Sequence, residues 1–184
     1  MPWCVTHGIG HNSGTDPAGY RGRLHQWRRA RRAVMGNVMP VEVVRLRVRR
    51  AAALGLDYGT YASVRAATGR DIVALLFSSN ALGMIRRAEL EAVRAAKLSD
   101  VAASRGVLVH APLAAETPDP LDWAAPAPRF TDSWGAMRRH LRAVLADRKL
   151  PSDAVLMIGD TAFEREWCAA ARAAGYVPAA RYFG

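Results

Sequence analysis

Asp153-Ala-Val-Leu-Met-Ile-Gly-Asp160-Thr-Ala-Phe-Glu164 is the stretch whose reading decides the fold. Ala154 to Ile158 form a short apolar run bounded by polar residues, the pattern of a central parallel strand covered on both faces. Thr161 then suits an N-cap, with Glu164 three residues on to complete a capping box, and a helix runs to Ala174 and stops at Gly175. A strand, loop, helix unit puts Asp160 at the carboxyl end of the strand, where open α/β sheets bind ligands.

The flanking sequence extends the same alternation. Ile72 to Phe77 reads as a strand that ends at Ser78-Ser79-Asn80, and Arg86 to Ala96 as a helix. Val107 to Val109 is a second strand, ending at His110. The proline-rich stretch Ala114 to Pro128 reads as an ordered loop or lid. A helix from Trp134 to Arg148 follows, and a last short strand falls near Tyr176 to Tyr182. Strands that alternate with helices predict an α/β protein, a three-layer α/β/α sandwich with a mostly parallel, Rossmann-like sheet, over residues 70–184.

The first 69 residues have a different texture. Residues 1–20 are rich in glycine and read as a flexible tail. Residues 21–69 read as a basic helical segment. Leu24 to Val34 is a short helix, Pro40 opens a second from about Val41 to Leu54, and Tyr58 to Ala67 a third that stops at Gly69. In the second helix Val41, Val44, Val48 and Ala51 recur at helical spacing, with Arg45, Arg49 and Arg50 away from that stripe.

Charge is concentrated in the same place. The net charge is +10, and between Arg21 and Arg50 there are ten arginines and one acid, Glu42. No lysine occurs in that segment, and arginine favours bidentate contacts with phosphate or carboxylate. Arg21, Arg23, Arg28, Arg29, Arg31 and Arg32, with Trp27 among them, suit a nucleic-acid surface on which Trp27 stacks on a base. They equally suit a solvated helix face or an arm that docks on an acidic protein. No apolar run nears the roughly 20 residues that span a bilayer, and the N-terminus lacks the order of a signal peptide. Cys4 and Cys168 lie far apart in different settings, so a disulfide is not expected. A cytoplasmic protein with no membrane partner is the expectation.

Leu156-Met-Ile-Gly159-Asp160-Thr161-Ala-Phe-Glu164, with the run Ala169 to Gly175, resembles the fourth motif and C-terminal end of haloacid dehalogenase-like hydrolases over about 30 residues. The resemblance implies a Mg²⁺-dependent phosphohydrolase, active or catalytically degenerate, acting on a phosphorylated small molecule. It implies that Asp160 and Glu164 hold the Mg²⁺, a hard cation that takes carboxylate oxygens and water. Leu75-Leu-Phe-Ser78-Ser79-Asn80 is similar to the family's second motif, which implies phosphate contacts from Ser78, Ser79 and Asn80. Arg129, Arg138 or Arg139 stands for the positive clamp on the phosphoryl group.

The nucleophile motif departs from the family's pattern. Asp57-Tyr58-Gly59-Thr60 offers the first aspartate without the second acid, and follows a predicted helix. Alternatively Phe77-Ser78-Ser79-Asn80 occupies that strand itself, with Ser and Asn where two acids belong. The residues allow plainer readings as well: Glu164 as half of a capping box, and Ser78, Ser79 and Asn80 as turn residues. His110, at a strand end beside the proline-rich loop, has the chemistry of a general acid or base near neutral pH. Cys4, His7 and His11 do not make a zinc site, and no phosphate-cradling Gly-Lys-Ser motif occurs.

Overall fold

The computed structural model describes Trp27, residues 39–85 and residues 89–184. The chain divides into two compact units, Met1–Val43 and Val44–Gly184. The expected tail and, Trp27 apart, the arginines of residues 21–38 lie outside the described residues. Trp27 itself is helical and exposed.

The second unit is built on five strands, all parallel. They are β1 (Ala74–Ser78), β2 (Ser104–Val109), β3 (Trp123–Pro126), β4 (Val155–Gly159) and β5 (Gly175–Pro178). Their spatial order is β3-β2-β1-β4-β5. Leu76 lies opposite Gly106 on one side and Met157 on the other, so β1 is central and bonded along both edges. The helices are α1 (Val41–Ala53), α2 (Tyr58–Thr68), α3 (Ala92–Ser99), α4 (Trp134–Asp147), α5 (Ala162–Ala171) and α6 (Ala179–Phe183).

Strand alternation sorts the core into two layers. Leu75, Phe77, Val107, Leu156 and Ile158 point to one face, where Ala51, Leu54, Tyr61, Leu98 and Tyr182 from the ends or faces of α1, α2, α3 and α6 cover them. Ala74, Leu76, Leu108, Val155 and Met157 point to the other, under Met137 and Leu141 of α4 and Trp167 and Ala170 of α5. This is the α/β/α arrangement that the sequence predicts. Among the described residues no helix is long and apolar enough to cross a membrane.

Several elements differ from the sequence reading, each for a physical reason. The expected lid, Ala114 to Pro128, contains an edge strand, β3. Trp123 lies over Gly106, where an added Cβ would sit 2.1 Å from the indole. Asp122 accepts from the Arg105 amide at 2.7 Å and from its guanidinium at 2.8 Å. These contacts are long-range, and a run of Trp-Ala-Ala-Pro carries little strand propensity of its own. α5 ends at Ala171 rather than Ala174, because Arg172 takes the left-handed conformation at φ 56°. That frees Gly175 to start β5, and the segment after Pro178 turns into α6 instead of continuing as a strand.

The expected core stripe of α1 is buried only at Ala51; Val41 and Val48 are exposed. Arg50, expected on the outer side, is instead a clamp. Its Nε donates to Asp71 at 3.0 Å, and its two terminal nitrogens donate to the Ala102 and Ile72 carbonyls at 2.9 and 2.8 Å. Within the second unit, the end of α1 and α2 are therefore fastened to the sheet.

Candidate functional site

A strand order of this kind has a switch point, where the chain leaves the central strand in one direction and returns on its other side. Here it lies between the carboxyl ends of β1 and β4. Ser78, Ser79 and Asn80 leave β1 there, Asp160 and Thr161 leave β4, and His110 leaves β2 next door. Six of the residues singled out in the sequence converge on this end of the sheet: Ser78, Ser79, Asn80, His110, Asp160 and Glu164.

Glu164 is the hub. Its side chain is buried, and both carboxylate oxygens are occupied. Oε1 accepts from Asn80 Nδ2 at 2.8 Å and lies 2.9 Å from His110 Nε2. Oε2 accepts from the backbone amides of Asp160 at 2.6 Å and Thr161 at 3.0 Å. The Glu164 amide donates in return to Thr161 Oγ1 at 3.2 Å, which closes the capping box. A carboxylate only accepts, so His110 Nε2 carries the hydrogen in this bond. Burial by itself would raise the Glu164 pKa, but the His110 bond, the two amides and the Ser78 hydroxyl outweigh it. They hold it down to about 2.

The serines are equally committed. Ser78 and Ser79 are buried. Ser78 Oγ accepts from the Ala81 amide at 3.0 Å, and Ser79 Oγ from the His110 amide at 3.2 Å. Ser78 braces the turn that leaves β1, Ser79 ties the β1 and β2 ends together, and neither hydroxyl is exposed to solvent. Gly159 is what allows the crowding. A Cβ there would lie 2.8 Å from the Tyr176 ring and 3.0 Å from Glu164 Cβ.

Outside this knot a cavity of about 480 Å³ opens beside the same strand ends. Its walls include Asn80 and Asp160 from the sheet, Arg94 and Lys97 from α3, and Phe183 from α6. Arg94 is engaged: it donates to the Ala81 carbonyl at 2.8 Å and pairs with Glu91 at 3.4 Å. Lys97 donates to the Tyr182 carbonyl, and its ammonium lies 4.6 Å from the centre of the Tyr182 ring. Among the described residues no carboxylate lies within ion-pair distance of it, and burial lowers its pKa. No motif or spacing in the sequence marks Lys97, Arg94 or Phe183. They come from helices on one face of the sheet and meet only in the folded chain.

The other residues proposed from sequence fall elsewhere. Asp57 is not at the strand ends. It caps α2, accepting from the Thr60 amide at 2.8 Å, and lies 3.4 Å from Arg181. Arg129 is exposed in the loop between β3 and α4, where its backbone amide donates to Asp132 at 2.8 Å. Arg138 and Arg139 lie on α4. Arg21, Arg23, Arg28, Arg29, Arg31 and Arg32 are outside the described residues.

The expected magnesium arrangement does not fit this geometry. Two carboxylates would have to offer free oxygens, but both oxygens of the buried Glu164 are already taken by donors of its own chain. Asp160 alone is open to solvent. Among the described residues no group of three or more His, Cys, Asp or Glu side chains is placed to hold a metal. No family model matches this chain, and no match was found among curated proteins or solved structures.

Proposed function

We propose that the chain is a phosphohydrolase-like protein in architecture and a binding protein in action, which holds a phosphorylated small molecule at the switch point without hydrolysing it. The observation that carries the reading is Lys97, a partly buried ammonium with no acid partner among the described residues, on the wall of a cavity of about 480 Å³ at the ends of β1 and β4. That volume lies in the ordinary range for small-ligand sites. A desolvated cation of this kind gains from an anionic group that enters beside it.

The remaining walls refine the ligand. Asn80 adds an amide at the mouth, and Asp160 adds a carboxylate that repels a bare anion and welcomes a hydroxyl or ammonium donor. A phosphate monoester that also carries hydroxyl groups satisfies both. Hydrolysis lacks its parts, since Ser78 and Ser79 are buried in structural bonds and Glu164 has no oxygen to spare. The resemblance to haloacid dehalogenase-like hydrolases is then one of fold and loop pattern, with the covalent chemistry lost.

The reading is tested by incubating the protein with phenyl phosphate and Mg²⁺, beside Asp160→Asn. Full recovery of the ester from both proteins is expected. Phosphate released by the wild type and lost in the variant would overturn the reading in favour of a metal-dependent hydrolase.

A further inference from the structure

The face opposite α3 and α6, formed by α4 and α5, carries a second constellation that the cavity does not use. Trp134, Arg138 and Arg142 are spaced i, i+4 and i+8 on α4, so they form one stripe of about 12 Å along the helix. Phe130, just before the helix, is 84% exposed, and Trp134 is 49% exposed. Phe130 is held in place by the Phe163 ring of α5 at 5.4 Å, and Phe163 rests in turn on Trp167 at 5.9 Å. The aromatic end of the stripe is therefore propped from beneath and faces solvent.

The other end is positive and uncompensated. Among the described residues no acid lies within ion-pair distance of Arg138, Arg142 or Arg172, the last of which ends α5. The Arg142 pKa is lowered, by the Arg138 charge foremost, then by burial and by the Arg172 charge. Arg138 and Arg172 thus both lie near enough to Arg142 for their charges to act on it. α4 contains a single acid, Asp147, at its last residue. Most arginines elsewhere on this domain are engaged, as Arg50 is with Asp71, Arg70 with Asp153 and Arg105 with Asp122.

The geometry points to a binding face for single-stranded nucleic acid on α4 and α5, with Arg138, Arg142 and Arg172 along the phosphates and Trp134 and Phe130 stacked on bases. Charge alone would suit any polyanion, an acidic peptide included. The exposed rings at the end of the arginine row select the nucleic acid, because stacking platforms beside cations are what an unpaired strand offers bases to. The face is separate from the phosphate cavity, and its fate does not depend on the Proposed function.

Fluorescence anisotropy of a fluorescein-labelled twelve-residue oligothymidylate with the full-length protein tests it. Four proteins are compared: wild type, Arg138→Ala with Arg142→Ala, Trp134→Ala, and Arg28→Ala with Arg29→Ala. Loss of two phosphate contacts is expected to flatten the slope of log K against log salt by about 1.4. Trp134→Ala is expected to weaken binding roughly tenfold with the slope unchanged. No binding by the wild type would overturn the inference. So would loss confined to the Arg28 and Arg29 variant, which would move the activity to the N-terminal arginines. Equal affinity for polyglutamate, with Trp134→Ala neutral, would replace the nucleic acid by an acidic protein.

Discussion

Asn80 and Glu164 stand 84 positions apart in the chain and meet at 2.8 Å, the side-chain amide of a loop donating to a carboxylate in the first turn of α5. The bond spans the switch point of the sheet, and with His110 it joins the ends of β1, β2 and the start of α5. It also explains why Glu164, in a stretch that resembles a metal-binding motif, has no oxygen free for a metal. Removing the charge should therefore cost stability. Glu164→Gln places a donor amide among four donors, leaving at least one buried and unmatched, and is expected to destabilise the fold by about 3 kcal/mol. Urea unfolding of the two proteins measures it.

Acid should reveal the same group. The folded Glu164 pKa is about 2 against an ordinary 4.5, so the folded state binds its proton more weakly than the unfolded chain does. The stability this contributes is fully present above pH 4.5 and lost as pH falls from there toward 2. It amounts to roughly 3 kcal/mol if the whole shift is realised. Denaturant midpoints between pH 6 and pH 2.5 should decline steeply in the wild type and more shallowly in Glu164→Gln. Parallel declines would show that Glu164 titrates normally in the folded protein.

Gly159 is set by contact and not by backbone conformation. Its Cβ would press on the Tyr176 ring and Glu164 Cβ together, and only the tyrosine can swing aside. Gly159→Ala is expected to cost about 1–3 kcal/mol, the scale of overpacking. Gly159→Ala combined with Tyr176→Ala should recover part of that loss in thermal unfolding.

Arg50 offers a test of how α1 is fastened. It makes one ion pair with Asp71 and two bonds to carbonyls, and Asp71 is bonded in turn by the Tyr61 hydroxyl at 2.8 Å. Arg50→Ala is expected to destabilise by about 2 kcal/mol, whereas Arg49→Ala, on an exposed position of the same helix, should stay within about 0.5 kcal/mol. Equal effects would mean the clamp contributes nothing.

The sequence carried the sheet where the signal was local. Val155–Gly159 is an apolar run with a capped helix behind it, and Thr161 with Glu164 forms the capping box that their spacing predicts. It failed where tertiary contact decides. β3 is a strand because Trp123 lies over Gly106 and Asp122 is held by Arg105, none of which is visible in Trp-Ala-Ala-Pro. The helix end at Arg172 was hidden because glycine, three residues later, is the commoner left-handed cap. At the site, the strand-end residues were legible because such positions follow from any strand. That Glu164 is spent, that Asp57 merely caps α2, and that Lys97 faces a cavity all depend on which loops and helices are neighbours in space.

The most direct test of the account is titration calorimetry of glycerol phosphate into the wild type and into Lys97→Met, which keeps the apolar stem and removes the charge. Saturable heat with the wild type, absent with free glycerol and lost in Lys97→Met, is the predicted result. No heat with the wild type, or binding that Lys97→Met leaves unchanged, would contradict it.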